Sequence, residues 1–270
     1  MPFFDIDDRR VFYRHWDTNT PAVAALIFLH GFGEHSGLYH RYAAELADHG
    51  VQLWAIDEPG HGLSTGERGD VGSYDTVVAA GVRLSEIAAA AAPQLPQVIA
   101  GHSLGSLGAL LVALDNPGRF AAAVISGTPL SRLGWLTDVA AGDAPAGSFE
   151  LELDDLSADR FYRDELENDP LAFTSADVVG LLARTFPPAW DRLERDLPAL
   201  QIPILAVHGA DDTIAPIAGV QEWQERLPQL RIEKIDGAAH DILNEVQHAR
   251  VADLVGAFVA AAATTSVATS

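Results

Sequence analysis

The chain has 270 residues, of which 48% are hydrophobic and 20% are charged, a balance typical of folded globular proteins. Its net charge of −21 disfavours nucleic acid and anionic lipid headgroups as partners, because both would be repelled. The absence of cysteine excludes disulfides, thiolate nucleophiles and cysteine-based zinc sites. Residues 1–10 lack an apolar signal core, and no apolar run has the length of a membrane span. We therefore expect a cytoplasmic protein without stable membrane insertion.

Short apolar runs alternate with helical patterns along most of the chain. The runs with the composition of buried strands are, in chain order, Val23–Leu29, Val51–Ile56, Gln97–Ala100, Ala121–Ile125 and Ile202–Val207, and a further strand is predicted at Arg231–Ile235. The predicted helices are Tyr39–His49, Tyr74–Ala92, Leu104–Asp115, Gly219–Leu227 and Asn244–Ala262. Continuous apolar strands separated by helices predict an α/β fold with a mostly parallel central sheet and helices on both faces. Ligands bind at the carboxyl edge of such sheets, where the polar and glycine residues of this chain cluster.

The segment from residue 130 to residue 198 interrupts this alternation. It contains no strong strand pattern, a stretch rich in Gly, Ala and Pro at 140–147, and helical patterns near 158–167 and 175–185. The segment is longer than ordinary connections between elements. We therefore predict a helical cap at 130–198, inserted into a core domain formed by 1–129 and 199–270. A pair of crossover helices joined by a long loop is the alternative.

One short motif carries the clearest chemical signal. Residues 101–105 read GHSLG and match G-x-S-x-G between a predicted strand and a predicted helix, the context of a nucleophile elbow. Ser103 would stand at the N-terminus of the helix, where the backbone dipole is positive. The motif predicts Ser103 as a nucleophile that forms an acyl-enzyme ester.

A serine nucleophile needs a histidine base and a carboxylate that orients the base. Three histidines follow the motif. His208 ends an apolar strand and is expected to be buried and structural, and His248 lies within a predicted helix. His240 lies in a loop between a strand and a helix, so we predict it as the base. The acid is Asp211 or Asp212 in the loop after the strand that ends at residue 207, and spacing alone leaves both open.

The developing oxyanion requires two hydrogen-bond donors. One is expected to be the backbone N–H of Leu104, next to the nucleophile. The other is expected from the glycine-rich loop after the first apolar strand, where the N–H of Phe32 lies between Gly31 and Gly33. His30 and His35 are expected to shape this loop.

Several blocks of the sequence resemble monoacylglycerol lipases and related lysophospholipase-like hydrolases. They are HGFGEHSGLYHRYAAEL at 30–46, DEPGHGLSTGERGDVGSYDTVV at 57–78, GHSLG, HGADDTIAP, GAAHDILNE at 237–245 and NDPLAF at 168–173. The resemblance implies the α/β-hydrolase fold with a cap. It also implies Ser103 as nucleophile, His240 as base, and Phe32 and Leu104 as oxyanion donors. The family's acid stands three residues after the glycine and four before the proline, which selects Asp212.

The same resemblance implies a serine hydrolase that cleaves carboxylic esters, with monoacylglycerol or a similar single-chain lipid ester as substrate. No metal or organic cofactor is expected, and contact with lipid surfaces is expected to be transient and through the cap. Apolar cap residues that could line an acyl pocket, or equally form the core of the cap, are Leu130, Leu133, Trp135, Leu136, Phe173, Leu181, Leu182 and Phe186. An esterase, thioesterase, lactonase or C–C bond hydrolase acting on a small non-lipid substrate is the alternative. A non-catalytic binding protein is a third hypothesis, and the oligomeric state is not predicted.

Overall fold

The computed structural model describes residues 2–143, 152–174 and 178–268. Its centre is an eight-stranded sheet in the order β1-β2-β4-β3-β5-β6-β7-β8. The strands are β1 (Phe3–Ile6), β2 (Arg9–Trp16), β3 (Ala24–Leu29), β4 (Val51–Ile56), β5 (Gln97–His102), β6 (Ala122–Ser126), β7 (Ile204–Gly209) and β8 (Leu230–Ile235). Pairing is antiparallel between β1 and β2 and between β2 and β4, and it is parallel from β4 to β8.

The α-helices among the described residues are α1 (His40–Asp48), α2 (Tyr74–Ala91), α3 (Leu104–Asp115), α4 (Gly134–Ala141), α5 (Leu153–Leu156), α6 (Arg160–Asn168), α7 (Val178–Asp196), α8 (Ala218–Gln221) and α9 (His248–Ala268). The sheet separates two apolar cores. One contains the buried faces of α2, α3 and α7, and the other contains those of α1 and α9. Both faces of the sheet are therefore covered, which explains why its central strands are apolar throughout.

The strand order places a topological switch point at β3. The chain runs from β3 to its neighbour β4 on one side and then continues at β5 on the other side of β3. The loops after β3 and β5 therefore leave the sheet side by side and in opposite directions. Such a point opens a crevice at the carboxyl edge of the sheet.

The predicted α/β-hydrolase fold and its mostly parallel sheet are confirmed, while several predicted boundaries were wrong. Strands β1 and β2 were not predicted. The predicted helix Gly219–Leu227 is shortened to Ala218–Gln221, and bonds of the i to i+3 kind continue the turn, such as Trp223 N–H to Val220 O. The last helix begins at His248, because Glu245 is extended, and it continues to Ala268.

Between β6 and β7 the described residues form helices α4 to α7 and no strand. Residues 144–147 of the predicted Gly/Ala/Pro stretch and 175–177 of the predicted helical pattern lie outside the described residues. Helix α4 ends at Gly142, whose φ of 81° is the left-handed conformation that a helix C-terminus favours. Within the part of the chain described, no helix combines the length and the apolarity needed to cross a bilayer.

Candidate active site

Ser103 stands at the sharp turn between β5 and α3. Its φ is 49° and its ψ is −118°, a left-handed backbone conformation that is strained for a residue with a side chain. Two glycines permit the turn. A Cβ on Gly101 would lie 2.2 Å from the carbonyl oxygen of Gly105, and a Cβ on Gly105 would lie 2.2 Å from the carbonyl oxygen of Leu29. The elbow predicted from G-x-S-x-G is therefore packed directly against the end of β3.

The structure brings the three predicted triad side chains together. His240 Nε2 lies 2.9 Å from Ser103 Oγ, and His240 Nδ1 lies 2.9 Å from Asp212 Oδ2. His240 and Asp212 are buried, and Ser103 is half-buried. With Nδ1–H donating to the carboxylate, Nε2 is left to accept the serine proton, which is the tautomer that a base requires.

Asp212 is held by the loop after β7. Its Oδ1 accepts the backbone N–H groups of Ile214 and Ala215 at 3.0 and 2.8 Å, so one carboxylate both caps the turn and faces the imidazole. Asp211, the competing candidate, is exposed. His208 is fully buried as expected, and its Nε2 lies 2.6 Å from Ala215 O and 3.2 Å from Asp212 Oδ2. It therefore supports the carboxylate.

The interaction between Asp212 and His240 shifts the pKa values of both groups. Burial acts to lower the pKa of His240, but the Asp212 carboxylate outweighs it, with help from Asp241, and raises that pKa above 6.5. Burial acts to raise the pKa of Asp212, and His240 and His208 hold it well below its usual range instead. The carboxylate stays ionised and favours the imidazolium form of its partner.

The loop after β3 lies against the nucleophile. A Cβ on Gly31 would lie 3.3 Å from Ser103 Cβ and 2.7 Å from Glu34 Oε2, so a side chain at this position would be crowded. Phe32 and Leu104, the predicted oxyanion donors, both line the cavity that contains Ser103. His30 fixes the loop as expected: its Nδ1–H donates to Gly31 O at 2.7 Å, and its Nε2 accepts the N–H of Glu58 at 2.8 Å.

The NDPLAF segment is bound to the same loop. The N–H of Phe173 donates to Gly33 O at 2.9 Å, and its ring contacts Phe32 edge-to-face with centroids 5.4 Å apart. The guanidinium carbon of Arg68 lies over the Phe173 ring, 4.5 Å from its centroid. His35 Nε2 lies 3.0 Å from Asp169 Oδ2. Residues 169–173, which follow α6, therefore form one wall of the site.

An apolar cavity of about 360 Å³ opens above Ser103. Five of the cap residues predicted from sequence line it: Leu133, Trp135, Phe173, Leu182 and Phe186. Leu130, Leu136 and Leu181 are not among its described lining residues and lie at most 2% exposed in the core, which is the other position that the sequence had left open for them. All three belong to the apolar core that contains the buried faces of α2, α3 and α7. The sequence pattern alone did not distinguish the cap residues that line the cavity from those that lie in the core.

Sequence reasoning missed a buried polar network beside the triad. Glu34, His102, Tyr162 and Asp241 are all at most 4% exposed and are joined by hydrogen bonds. Three of them adjoin residues that the motifs had singled out, and this adjacency was the available signal. Tyr162 lies in α6, which no motif marked.

One possible metal-ligand atom from each of His102, His240 and Asp241 lies within 4.8 Å of the other two, a spacing that a metal ion could bridge. Hydrogen bonds already account for them. His102 Nε2 contacts Asp241 Oδ1 at 3.0 Å, and the two nitrogens of His240 contact Asp212 and Ser103. We assign no metal to this cluster.

Comparison with known proteins places the chain in a family. The family described as serine aminopeptidase, S33, matches residues 20–247. The chain is 27% identical over 267 residues to the monoacylglycerol lipase of Mycolicibacterium smegmatis, covering 95% of each chain. It is 32% identical to a pimeloyl-(acyl-carrier protein) methyl ester esterase of Xanthomonas campestris pv. campestris, covering 88% of this chain and 95% of that one.

The fold is similar to that of the Paleococcus ferrophilus monoacylglycerol lipase, with a TM-score of 0.77 at 23% identity, over 93% of this chain and 99% of that one. The predicted enzyme class is thus confirmed. The chain belongs to the S33 serine aminopeptidase family, and it is a carboxylic-ester hydrolase of the α/β-hydrolase fold, similar to monoacylglycerol lipases.

Proposed function

We propose that the protein hydrolyses monoacylglycerol, or a similar single-chain lipid ester, with Ser103 as nucleophile, His240 as base and Asp212 as the acid that orients the base. The observation that carries this proposal is the hydrogen-bonded series of these side chains at the floor of an apolar cavity. The alignment of base and nucleophile at 2.9 Å is within reach for proton transfer.

The reaction follows from this geometry. Ser103 Oγ attacks the ester carbonyl carbon while its proton passes to His240 Nε2. The N–H groups of Phe32 and Leu104 stabilise the oxyanion of the tetrahedral intermediate. The intermediate collapses when the imidazolium gives its proton to the leaving alcohol, and an acyl-enzyme remains. Water, deprotonated by His240, then attacks the acyl carbonyl, and return of the proton to Ser103 releases the fatty acid.

The cavity supports a neutral, largely apolar substrate. Its volume of about 360 Å³ lies at the small end of ligand pockets, as expected for one acyl chain. None of its described lining residues is Lys or Arg, whereas Asp155 stands exposed at its edge, 3.2 Å from Thr213 Oγ1. A phosphate-bearing lipid or an acyl carrier would bring negative charge without a cation to meet it. Glycerol hydroxyls are free of that cost and can donate to Asp155.

The proposal includes the division of the chain into a core, 1–129 and 199–270, and a cap, 130–198, whose helices enclose the acyl chain. Trp135 lines the cavity and is 41% exposed, so it stands where a substrate would enter from a lipid surface. Tyr and Trp side chains favour such interfaces. Because the protein carries a net charge of −21, contact with anionic lipid is expected to be brief.

The test is a substrate series with matched serine variants. Wild type is expected to cleave long-chain monoacylglycerol faster than p-nitrophenyl acetate or butyrate, and faster than a lysophospholipid of equal chain length. Ser103→Ala should abolish both turnover and covalent labelling by a fluorophosphonate. Ser106→Ala, in the first turn of α3, should retain both, because among the described residues the Ser106 hydroxyl has Ser103 O, a backbone oxygen, as its one hydrogen-bond partner. Turnover surviving in Ser103→Ala would overturn the nucleophile, and a preference for acetate without monoacylglycerol turnover would overturn the substrate class.

A further inference from the structure

One tyrosine hydroxyl bridges two buried carboxyl groups beside the active site. Tyr162 Oη lies 2.8 Å from Glu34 Oε1 and 2.8 Å from Asp241 Oδ2. Tyr162 is fully buried, and both acids are 4% exposed. A phenol has a single proton and donates it once. If both acids were ionised, one oxygen–oxygen contact at 2.8 Å would have no proton between its atoms.

This contact requires a second proton on one of the two carboxyl groups. An unprotonated contact would set a buried negative oxygen against a phenol lone pair, and burial already makes each charge costly. With a proton on one acid, that acid donates to Tyr162 and Tyr162 donates to the other acid. Every member of the series is then satisfied.

The other contacts indicate which acid carries the proton. Two donors converge on the second oxygen of Glu34: the N–H of Gly31 and the hydroxyl of Tyr39 both reach Oε2, at 2.8 and 2.6 Å. Among the residues that the structure describes, Oε1 has Tyr162 as its one hydrogen-bond partner. The two oxygens of Glu34 thus have different partners, as in a neutral carboxylic acid. Oε2 accepts as the carbonyl oxygen, and Oε1 donates as the hydroxyl oxygen.

Asp241 has the opposite pattern, that of an ionised carboxylate. Each of its oxygens faces one donor, Tyr162 at Oδ2 and His102 Nε2 at Oδ1, 3.0 Å away. Nδ1 of His102 lies 3.1 Å from the hydroxyl of Ser126, which can donate to it. Burial, and after it the charge of Asp241, raise the pKa of Glu34, in agreement with this assignment.

We infer that Glu34 is protonated at neutral pH and donates to Tyr162, which donates to an ionised Asp241, and that this series positions the two catalytic loops. Glu34 Oε2 holds the N–H of Gly31, one residue before the proposed oxyanion donor Phe32. Asp241 directly follows His240. Tyr162 comes from α6, so one side chain of the cap fixes the oxyanion loop and the histidine loop relative to each other. The effect on catalysis rests on the proposed function, while the protonation does not.

Substitution by the matching amide separates the two acids. A glutamine at 34 reproduces the neutral acid, with its oxygen accepting from Gly31 and Tyr39 and its NH₂ donating to Tyr162. Glu34→Gln should therefore lower kcat/KM much less than Asp241→Asn does. An asparagine at 241 would place its NH₂ group against one of the two donors that face Asp241, either His102 Nε2 or the hydroxyl of Tyr162. Asp241→Asn should lower kcat by roughly tenfold to a hundredfold with little change in KM, because an unsatisfied buried group disturbs the histidine loop.

The pH profile gives a readout that general loosening of the fold would not move. His240 is faced by Asp212, Asp241, Glu34 and His102. Loss of the Asp241 charge should move the rising limb of kcat/KM to lower pH, whereas Glu34→Gln, neutral before and after, should leave it in place. Equal displacement in both variants would contradict the assignment.

Proton release on unfolding tests the protonation without any substrate. Between the pKa of Glu34 in the unfolded chain and its raised pKa in the native state, unfolding should release about one more proton from wild type than from Glu34→Gln. The logarithm of the urea-extrapolated unfolding constant should then rise more steeply with pH for wild type. Equal slopes for these two proteins, with the excess proton lost in Asp241→Asn instead, would place the proton on Asp241 and overturn the proposal.

A pair of tyrosine variants controls for hydroxyl deletion. Tyr162→Phe removes the bridge and should lower kcat as Asp241→Asn does. Tyr42→Phe deletes another fully buried hydroxyl, one without a hydrogen-bond partner among the described residues, and should leave kcat unchanged. If Tyr162→Phe also left kcat unchanged, the positioning role would be lost.

Discussion

Ser103 combines a φ of 49° with a hydroxyl oxygen 2.9 Å from Nε2 of His240. The strained turn at Ser103 lifts the side chain off the end of β5, and the loop after β8 brings the imidazole to it. Neither side chain could perform the reaction without the other. Their contact joins positions 137 residues apart in the chain.

The two neighbouring aspartates should differ sharply when each is changed to asparagine. Asp212→Asn keeps the shape of the side chain but offers an amide to an imidazole that must donate, so the base is held in the wrong tautomer. Loss of kcat by roughly 10⁴-fold is the effect of this change in another serine-hydrolase triad. Asp211→Asn is the control, because Asp211 is exposed and should lose less than about twofold. Steady-state kinetics on one soluble ester would decide, and comparable losses would contradict the assignment.

The pH dependence should follow His240. As a base it must be unprotonated, so kcat/KM should rise with pH, and the midpoint should lie above 6.5 because Asp212 outweighs burial and raises the pKa of His240. In Asp212→Asn that charge is absent, and the residual activity should titrate at lower pH than in wild type. The measurement is kcat/KM over a pH series at constant ionic strength. A midpoint that moved upward in the variant would contradict the sign.

Gly105→Ala should damage both stability and activity. The added methyl group would meet the carbonyl oxygens of Leu29 at 2.2 Å and His30 at 2.5 Å, which belong to the backbone and cannot move aside alone. The free energy of unfolding should fall by about 1–3 kcal/mol or more. Gly134→Ala is the matched control: a Cβ there meets nothing within 4 Å, so stability should change by less than about 0.5 kcal/mol. Urea unfolding of both variants provides the comparison.

Filling the acyl cavity should change chain-length preference. Leu182 is a half-buried lining residue, and Leu182→Trp would occupy space above the nucleophile. Turnover of long-chain monoacylglycerol should fall by about tenfold or more, since overpacking a filled pocket costs about 1–3 kcal/mol. Turnover of a butyrate ester is the internal control and should remain. Parallel losses on both esters would mean that Leu182 does not border the acyl chain.

Local sequence determined the elements that carry the chemistry. The apolar runs at β3 to β7 and the helix Leu104–Asp115 were predictable because burial on both faces and a strand–turn–helix motif leave strong local patterns. The elbow at Ser103 and the loop at Phe32 followed from the same patterns. Strands β1 and β2 were not predicted in this way, because they mix exposed, half-buried and buried residues and contain no continuous apolar run.

Tertiary structure alone decided which side chains meet. Spacing in the sequence did not distinguish Asp211 from Asp212 as the acid. The fold exposes Asp211 and directs Asp212 to His240, because backbone N–H groups of the loop after β7 hold the Asp212 carboxylate. It also placed Leu136 in the core rather than the cavity. The bridge from Tyr162 to Glu34 and Asp241 spans segments 128 and 79 residues apart, so no local pattern encodes it. The sequence thus specified the reactive groups, and tertiary packing specified which hydrogen-bond partners each of them has.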